Sequence, residues 1–507
     1  MAAPASPSSN DPETLKALLA EERAENERLR QIILAMQRHR FGRRAESLPE
    51  DQLLLGLEEA EQVEAAGFAD EENEPAKQEA RRAKRRTNRG ALPAHLLRVE
   101  TLVDIGSLAC PCCAGTLHRI GEDVSERLDV VPAQFRVLVI RRPRYACRAC
   151  GDAVVQAPAP ARLIEGGLPT DALVAQVLVS KYADHLPLYR QAQIFARQGV
   201  SLDRSTLADW VGRAAFLLRP VHERLLETLK RSSKLFADET TAPVLDPGRG
   251  RTKTGQLWAY ARDDQPWGGT DPPGVAYVYA PDRTAGRPIA HLSGFAGVLQ
   301  IDGYAAYESL AKGGAVRLAY CWSHVRRKFY DLAAASPIAA ETLPRIVALY
   351  RIEAEIRGRP AEERRAARQE RSRPVIEALE AWLQEKLGLL SRKSNLAEAI
   401  RYALSRWAGL SLFLDDGRVE IDSNTVERAI RPLALNRKNA LFAGSDGGGE
   451  HWAVIASLVE TCKLVGVEPQ AYLADVITRI VEGHPQRRID DLLPWAYSAM
   501  PALKAVA

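Results

Sequence analysis

The sequence of 507 residues has no long apolar run and no large excess of charge of either sign. No stretch approaches the ~18–20 consecutive apolar residues that a membrane-spanning helix needs, and the first residues lack the apolar core of a secretion signal. We therefore expect a cytoplasmic protein with no membrane partner. The glycine-rich segment 444–449 is not followed by Lys-Ser/Thr, which excludes a Walker loop there and leaves a flexible turn or a plain loop.

The chain is too long for one ordinary hydrophobic core, and its 46% hydrophobic content is that of a globular protein. We predict a multidomain α/β protein. The predicted segments are 1–45 (N-terminal helix), 46–90 (charged linker), 91–158 (zinc-binding module), 159–231 (helical DNA-binding domain), 232–440 (catalytic domain with a helical insertion at about 331–415) and 441–507 (helical C-terminal region).

The N-terminal helix, from about residue 13 to 40, has apolar residues at heptad spacing over about three heptads. Asn26 falls at an a position, where a polar residue favours a parallel dimer at some cost in stability. Two interpretations stay open, namely dimerisation through this helix and packing of an amphipathic helix within one chain.

Seven cysteines are present, and five of them lie within residues 110–150. Two Cys-x-x-Cys pairs place four thiolates at the spacing of a zinc ribbon, with residues 134–141 predicted as a strand between them. The predicted zinc ligands are Cys110, Cys113, Cys147 and Cys150. Cys112 leaves the choice within the first pair open. Four thiolates leave no open coordination position, so this zinc would be structural.

A helix-turn-helix is predicted from the pattern of residues 188–211, with helices at 188–197 and 205–211 around a turn that contains glycine. In such a motif the start of the second helix contacts base edges. The candidate residues here are Asp203, Arg204, Ser205 and Thr206. A helical domain without DNA contact is the alternative.

The segment 232–330 reads as three strands, a helix, a strand, a helix and a last strand. The predicted strands are 235–244, 256–262, 274–280, 297–301 and 316–321. Asp238 interrupts the first apolar run and Asp302 ends the fourth, where a carboxylate is costly unless it is solvated, paired or bound to a cation. A third carboxylate, Glu427, lies on a helix that begins near Asp422 or Ser423. Such a set suits Mg²⁺ and displacement at phosphorus; Asp422 is the rival third ligand.

Residues 321–329, 427–432 and 436–445 resemble the transposases of the insertion-sequence 66 family, and the resemblance extends over nearly the whole chain. It implies a ribonuclease H-like fold and a catalytic triad of Asp238, Asp302 and Glu427 with two Mg²⁺ or Mn²⁺. It also implies a bacterial, nucleoid-associated protein that acts as a homo-oligomer on terminal inverted repeats and target DNA, with accessory proteins of the same element as partners.

Basic residues near the triad are predicted to contact DNA. They are Arg326, Arg327, Lys328, Arg428, Arg431, Arg437 and Lys438, together with His324. His324 has the alternative role of capping or packing. A metal role for Cys321 and His324 is disfavoured, because no second pair of ligands is within sequence reach.

Two other functions remain alternatives to transposition. One is a zinc-ribbon regulator that binds DNA without cutting it, and the other is a ribonuclease H-like nuclease without strand transfer. The three carboxylates argue against a pure binding protein, which has no need of them.

Overall fold

A computed structural model describes residues 134–146, 154–246 and 251–497. The predicted N-terminal helix, the charged linker and the four predicted zinc ligands Cys110, Cys113, Cys147 and Cys150 lie outside the described residues and stay predictions. Within the described ranges, no helix combines the length and the apolar character that crossing a bilayer requires.

Seven strands and fifteen α-helices are described. The strands are β1 (Arg144–Ala146), β2 (Val154–Gln156), β3 (Lys234–Asp246), β4 (Arg251–Arg262), β5 (Gly274–Ala280), β6 (Gly297–Ile301) and β7 (Val316–Tyr320). The helices are α1 (Asp171–Tyr182), α2 (Leu188–Arg197), α3 (Arg204–Lys230), α4 (Gly286–His291), α5 (Glu308–Ala311), α6 (Trp322–Ala333), α7 (Pro337–Ile356), α8 (Ala361–Ala367), α9 (Arg373–Gly388), α10 (Asn395–Leu404), α11 (Trp407–Leu410), α12 (Leu412–Asp415), α13 (Asn424–Ala440), α14 (Asp446–Leu464) and α15 (Pro469–Val481). A π-helical turn at Arg368–Ser372 joins α8 to α9, and short 3-10 helices lie at Gln265–Trp267, Ala305–Tyr307, Gln486–Leu492 and Pro494–Ala496.

The central sheet has five strands in the order β5-β4-β3-β6-β7. Strands β3, β4 and β5 form an antiparallel meander, whereas β6 is parallel to β3 and β7 is parallel to β6. Leu235, Phe236 and Ala237 at the start of β3 are all fully buried, as expected of a central strand covered on both faces. The five predicted strands of this region are confirmed, with β3 and β4 extending beyond the predicted ends.

The prediction of a strand at 134–141 is wrong. These residues form no strand, and the short antiparallel pair β1–β2 lies further along the chain. The side chains of Val137 and Val139 are 87% and 72% exposed. The apolar run therefore has β-forming residues, but among the described residues no neighbouring strand satisfies its backbone groups.

One hydrophobic core joins the sheet to helices from both ends of the described chain. It contains Trp210 of α3, Phe236 of β3, Tyr277 of β5 and Leu458 of α14, all at most 3% exposed. The predicted domain boundaries at 231/232 and 440/441 stay predictions, and side chains on both sides of each boundary contribute to this core.

A second core fills the helical segment between β7 and α13. Trp322 of α6 packs edge-on against Trp407 of α11, with ring centroids 5.5 Å apart. A buried ion-pair network supports it, in which Arg368 donates to both carboxylate oxygens of Glu353 at 2.7 Å. The helices predicted within 331–415 are thus confirmed, and they share this core with Val298 of β6 and Ala319 of β7.

Helix α14 covers the edge strand β5. The Thr461 hydroxyl accepts from the Val275 N–H at 3.1 Å, and the Ser457 hydroxyl accepts from the Tyr277 N–H at 2.8 Å. Unpaired backbone groups of an edge strand are a site for unwanted pairing with other chains. The two hydroxyls satisfy those groups and fix the helix along the sheet.

Only the first two residues of the glycine-rich segment 444–449 lie outside a helix, which corrects the prediction of a turn or loop over the whole segment. Its last four residues form the first turn of α14, and the Ser445 hydroxyl caps the helix by accepting from the Gly448 N–H at 3.1 Å. A side chain at Gly449 would have its Cβ 2.6 Å from the ring of Tyr279. The glycine at 449 therefore serves close packing of the helix on β5.

The predicted helix-turn-helix segment folds as two helices, but the second is far longer than expected. Helix α2 matches the predicted 188–197, whereas α3 runs over 27 residues instead of ending near 211. Apolar residues continue on one face to Leu229, which keeps the helix packed on the shared core. At its start, Arg204 and Ser205 are exposed and Thr206 is half-buried.

Candidate active site

Asp238 lies on β3, and Asp302 directly follows the neighbouring parallel strand β6. Phe236 of β3 is paired with Gln300 of β6, so the two aspartates, each two residues further on, come level with one another. Both are half-buried. The Asp302 carboxylate accepts from the Tyr304 N–H at 2.9 Å, and that of Asp238 accepts from the next backbone N–H at 2.7 Å.

The loop that carries Asp302 is held by the helical insertion. The Tyr402 hydroxyl of α10 donates to the Asp302 carbonyl oxygen at 2.7 Å, and the Arg406 guanidinium donates to that of Gly303 at 3.2 Å. Gly303 has φ +108°, which side-chain-bearing residues rarely adopt, and a Cβ there would lie 2.8 Å from the Arg406 Nε. The insertion thus helps to orient the second aspartate.

The segment that leads into α13 is fixed to β6 and α6 by hydrogen bonds. The Gln300 side chain accepts from the Glu420 N–H at 2.8 Å and donates to the Glu420 carbonyl oxygen at 2.9 Å. The Trp322 N–H at the start of α6 donates to the Ile421 carbonyl oxygen at 3.1 Å. These contacts bring the start of α13, and with it the predicted third carboxylate, to the end of β6.

Asp422 and Ser423 both serve the start of α13. The Asp422 carboxylate accepts from the Asn424 N–H at 3.1 Å and from its side-chain amide at 2.8 Å, while burial raises the pKa of Asp422. Ser423 is the N-cap residue, but its hydroxyl donates to Glu427 Oε1 at 3.2 Å instead of capping the backbone. Asp422, the rival third ligand, is thus engaged as a cap.

The carboxylates influence one another electrostatically. Burial raises the pKa of Asp238 to about 8, and the negative charges of Asp302, Glu239 and Glu427 contribute in that order. A hard divalent cation binds such oxygen donors and offsets the repulsion among their charges. The residues present fit a Mg²⁺ or Mn²⁺ site.

A buried carboxylate beside Asp238 holds an arginine that sequence reasoning missed. The side chain of Glu239 is only 2% exposed; it accepts from the Arg283 guanidinium, and from the Tyr307 hydroxyl at 3.2 Å. Arg283 lies over the ring of Tyr304, with its guanidinium carbon 3.8 Å from the centroid. No spacing rule connects these residues in the sequence, because the contact arises from the loop after β5 folding back toward β3.

Cys321 and His324 lie beside Glu427, although a metal role for the two residues was disfavoured from the sequence. Their three ligand atoms are within 4.8 Å of one another, and His324 Nδ1 is 3.6 Å from Glu427 Oε1. Burial raises the pKa of the Cys321 thiol to about 11. The sequence argument against a metal role was that no second pair of ligands lay within sequence reach; the fold brings one further donor, Glu427, from α13.

The predicted DNA-contacting residues differ in their surroundings. Arg326, Arg327, Arg428, Arg431 and Lys438 are exposed. The Lys328 ammonium lies over the Tyr402 ring, 4.5 Å from its centroid. Arg437 is half-buried, and its guanidinium donates to the Thr240 hydroxyl at 3.1 Å and the Thr241 carbonyl oxygen at 2.5 Å. Arg437 thus fastens α13 to β3.

Comparison with known protein families gives matches along most of the chain. Residues 166–451, more than half of it, match the model described as Transposase IS66 family. Further matches are to the zinc-finger binding domain of transposase IS66 at 107–151, the IS66 C-terminal element at 457–495 and the Transposase C of IS166 homeodomain at 28–101.

Curated relatives from Sinorhizobium fredii (strain NBRC 101917 / NGR234) are similar over most of their length. The uncharacterized protein y4jD is 51% identical over 421 residues, which cover 81% of this chain and 82% of the relative. The uncharacterized protein y4qI is 47% identical over 496 residues, which cover 95% of this chain and 91% of the relative. By these matches the chain belongs to the transposase IS66 family.

Proposed function

We propose that this protein is a DNA transposase that cuts at the terminal inverted repeats of its element and joins the ends to target DNA. The observation that carries the proposal is the convergence of three carboxylates from distant parts of the chain. Asp238 of β3 comes level with Asp302, which directly follows the neighbouring parallel strand β6. Glu427 lies on the helix whose preceding segment is hydrogen-bonded to a side chain of β6. Asp302 and Glu427 both contribute to raising the pKa of Asp238, whereas the Asp422 carboxylate is engaged by the backbone N–H and the side-chain amide of Asn424. Glu427 is therefore our choice for the third catalytic carboxylate.

The fold assignment within this proposal is ribonuclease H-like. An antiparallel meander followed by two strands parallel to its first strand, in the order β5-β4-β3-β6-β7, supports it. Asp238 then lies on β3, Asp302 directly follows the adjacent strand β6, and the glutamate comes from α13, beyond the helical segment 331–415.

Asp238, Asp302 and Glu427 would hold the divalent cations, Mg²⁺ or Mn²⁺. Two such cations supply activation of the attacking water or DNA 3′-hydroxyl and stabilisation of the leaving oxygen. The protein itself contributes position and charge, since the Tyr402 hydroxyl orients Asp302 and the Ser423 hydroxyl binds the Glu427 carboxylate. No serine or tyrosine nucleophile is needed.

Exposed basic residues on α6 and α13 would bind the DNA backbone. Arg326 and Arg327 lie on α6, and Arg428 and Arg431 lie on α13, the helix that carries Glu427. Contacts of this kind position the phosphates and make binding depend on salt concentration. The predicted zinc ribbon and the start of α3 are our candidates for recognising the inverted repeat.

The test is cleavage of a labelled DNA fragment that carries the element's own end, in the presence of Mg²⁺ or Mn²⁺. Glu427→Gln keeps the size of the side chain and removes its charge. The matched control is Glu377→Gln, at a glutamate on α9 whose side chain is 66% exposed. We expect the parent and the control to nick at the repeat boundary, and Glu427→Gln to bind the same DNA without cutting it.

Other outcomes select among the alternatives. Equal cleavage by the parent and Glu427→Gln would show that Glu427 is not the third carboxylate, and Asp422→Asn would then be the variant to test. Cleavage that is never followed by joining to target DNA would indicate a nuclease. Binding of the end without cutting, even with accessory proteins of the same element added, would indicate a regulator.

A further inference from the structure

The starts of α6 and α13 bring a sulfur, a nitrogen and an oxygen donor together. Cys321 is the N-cap residue of α6, His324 follows three residues later, and Glu427 lies in the first turn of α13. Their ligand atoms all lie within 4.8 Å of one another. Residues three apart at a helix start share a face, which is why the Cys-x-x-His spacing aims both side chains at the same point.

His324 has an unsatisfied ring nitrogen at this point. Its Nδ1 is buried and has no hydrogen-bond partner among the described residues. The nearest carboxylate oxygen, Glu427 Oε1, is 3.6 Å away, which is too long for a hydrogen bond. Nine other buried side-chain atoms of the described residues also lack a partner, but His324 Nδ1 is the one that lies beside a cysteine and a glutamate donor. An ion is one of the recognised explanations for such an atom.

The donor set determines which cation fits. Zinc-type cations bind thiolate, imidazole and carboxylate, whereas Mg²⁺ takes oxygen ligands almost alone. Ligands around tetrahedral zinc lie roughly 3.3–3.8 Å apart, given metal–ligand distances of about 2.0–2.3 Å. The side chains of His324 and Glu427 are about a third exposed, at 32% and 35%, so a cation has access and these side chains can close on it.

We propose that Cys321, His324 and Glu427 form a second, soft-cation site that binds Zn²⁺ and shares Glu427 with the catalytic carboxylates. Coordination to Zn²⁺ would neutralise much of the charge of the Glu427 carboxylate and hold it toward Cys321 and His324. Zn²⁺ bound here would therefore weaken Mg²⁺-dependent cleavage. This consequence for activity rests on the proposed function, whereas the binding of the cation does not.

The binding test uses Co²⁺ as a spectroscopic probe of the full chain, with its predicted ribbon already loaded with zinc. Released zinc is measured in the same titration, so that exchange at the ribbon is subtracted. We expect one additional equivalent of Co²⁺ with a sulfur-to-cobalt charge-transfer band, lost in Cys321→Ser and retained in Cys462→Ser. Cys462 is a matched control because it is the other free, buried cysteine among the described residues. No band in the parent, or an equal band in Cys321→Ser, overturns the proposal.

Glu427→Gln provides a second variant that leaves the thiol untouched. It should weaken Co²⁺ binding at least about tenfold, since even the loss of groups outside the first coordination sphere costs 10- to 100-fold in metal affinity. An unchanged affinity for Co²⁺ would show that Glu427 is not a ligand, and would overturn the proposal that the two sites share it.

The activity test separates the two proposals. Micromolar Zn²⁺ should inhibit the Mg²⁺-dependent cleavage of the parent and of Cys462→Ser much more than that of Cys321→Ser, each relative to its own rate without zinc. Equal inhibition of all three would overturn the sharing of Glu427. If Co²⁺ binds as described but the parent never cleaves, the cation site stands and the proposed function fails.

Discussion

Replacing Asp238 with Asn should stabilise the protein when no divalent cation is bound at the three carboxylates. Burial, followed by the charges of Asp302, Glu239 and Glu427, raises the pKa of Asp238 from 3.8 to about 8. Because the pKa is higher in the folded state than in the unfolded chain, the stability this carboxyl contributes is full below about pH 4 and is lost as the pH rises toward 8. About four pKa units at 1.36 kcal/mol each set an upper bound of about 5 kcal/mol at pH 8. The amide of Asn must itself be buried, so we expect a net gain of about 2–3 kcal/mol.

Thermal unfolding at pH 5 and pH 8 measures this gain. The full chain should carry stoichiometric zinc and no Mg²⁺, without a chelator that would strip the predicted ribbon. We expect Asp238→Asn to raise the midpoint by about 5 °C at pH 8 and to leave it unchanged or slightly lower at pH 5, while the control Glu377→Gln leaves it unchanged at both pH values. An Asn variant that is no more stable than the parent at pH 8, or a gain that does not shrink at pH 5, would refute the reasoning.

Three further substitutions probe the supports of the site. Gly303→Ala should reduce end cleavage about tenfold or more by displacing the second aspartate, whereas Gly313→Ala, which has open space around it, should cleave normally in the same assay. Gln300→Leu should cost about 1–2 kcal/mol, measured by denaturant unfolding, because it leaves the partly buried backbone N–H and carbonyl of Glu420 without these partners. Arg368→Met should cost about 3–5 kcal/mol in the same measurement, since it removes the main partner of the buried Glu353; the double variant with Glu353→Gln should recover part of that loss.

The central sheet was predictable because its strands are short apolar runs with clear ends. Lys234–Asp246 and Gly297–Ile301 each bury consecutive residues. An aspartate that interrupts or follows such a run is conspicuous, because burying a charge is costly unless the charge is solvated, paired or bound to a cation. The two aspartates therefore attract notice from the sequence alone. Glu427 was linked to them by its family motif, because no local sequence pattern distinguishes a catalytic glutamate on a helix from an ordinary surface glutamate.

What the sequence did not reveal depends on contacts between residues far apart in the chain. The pairing of Gln300 with the backbone of Glu420, and the burial of Glu239 against Arg283, have no local signature. The prediction of a strand at 134–141 was wrong because a local pattern suggested a contact that is absent among the described residues. Its β-forming residues have no partner strand within the described part of the chain. At 444–449 the glycines suggested a loop, but Ser445 caps a helix there and tertiary packing overrides the low helix propensity of glycine.

The most direct test of the central claim is strand transfer. A labelled, pre-cut element end with a free 3′-hydroxyl is incubated with plasmid DNA and Mg²⁺, using the parent and Asp302→Asn, and binding of the end is measured in parallel. Our account predicts that both proteins bind the end and that only the parent joins it to the plasmid. Joining by Asp302→Asn at the parent's rate would contradict the account, because the chemistry would then not depend on these carboxylates.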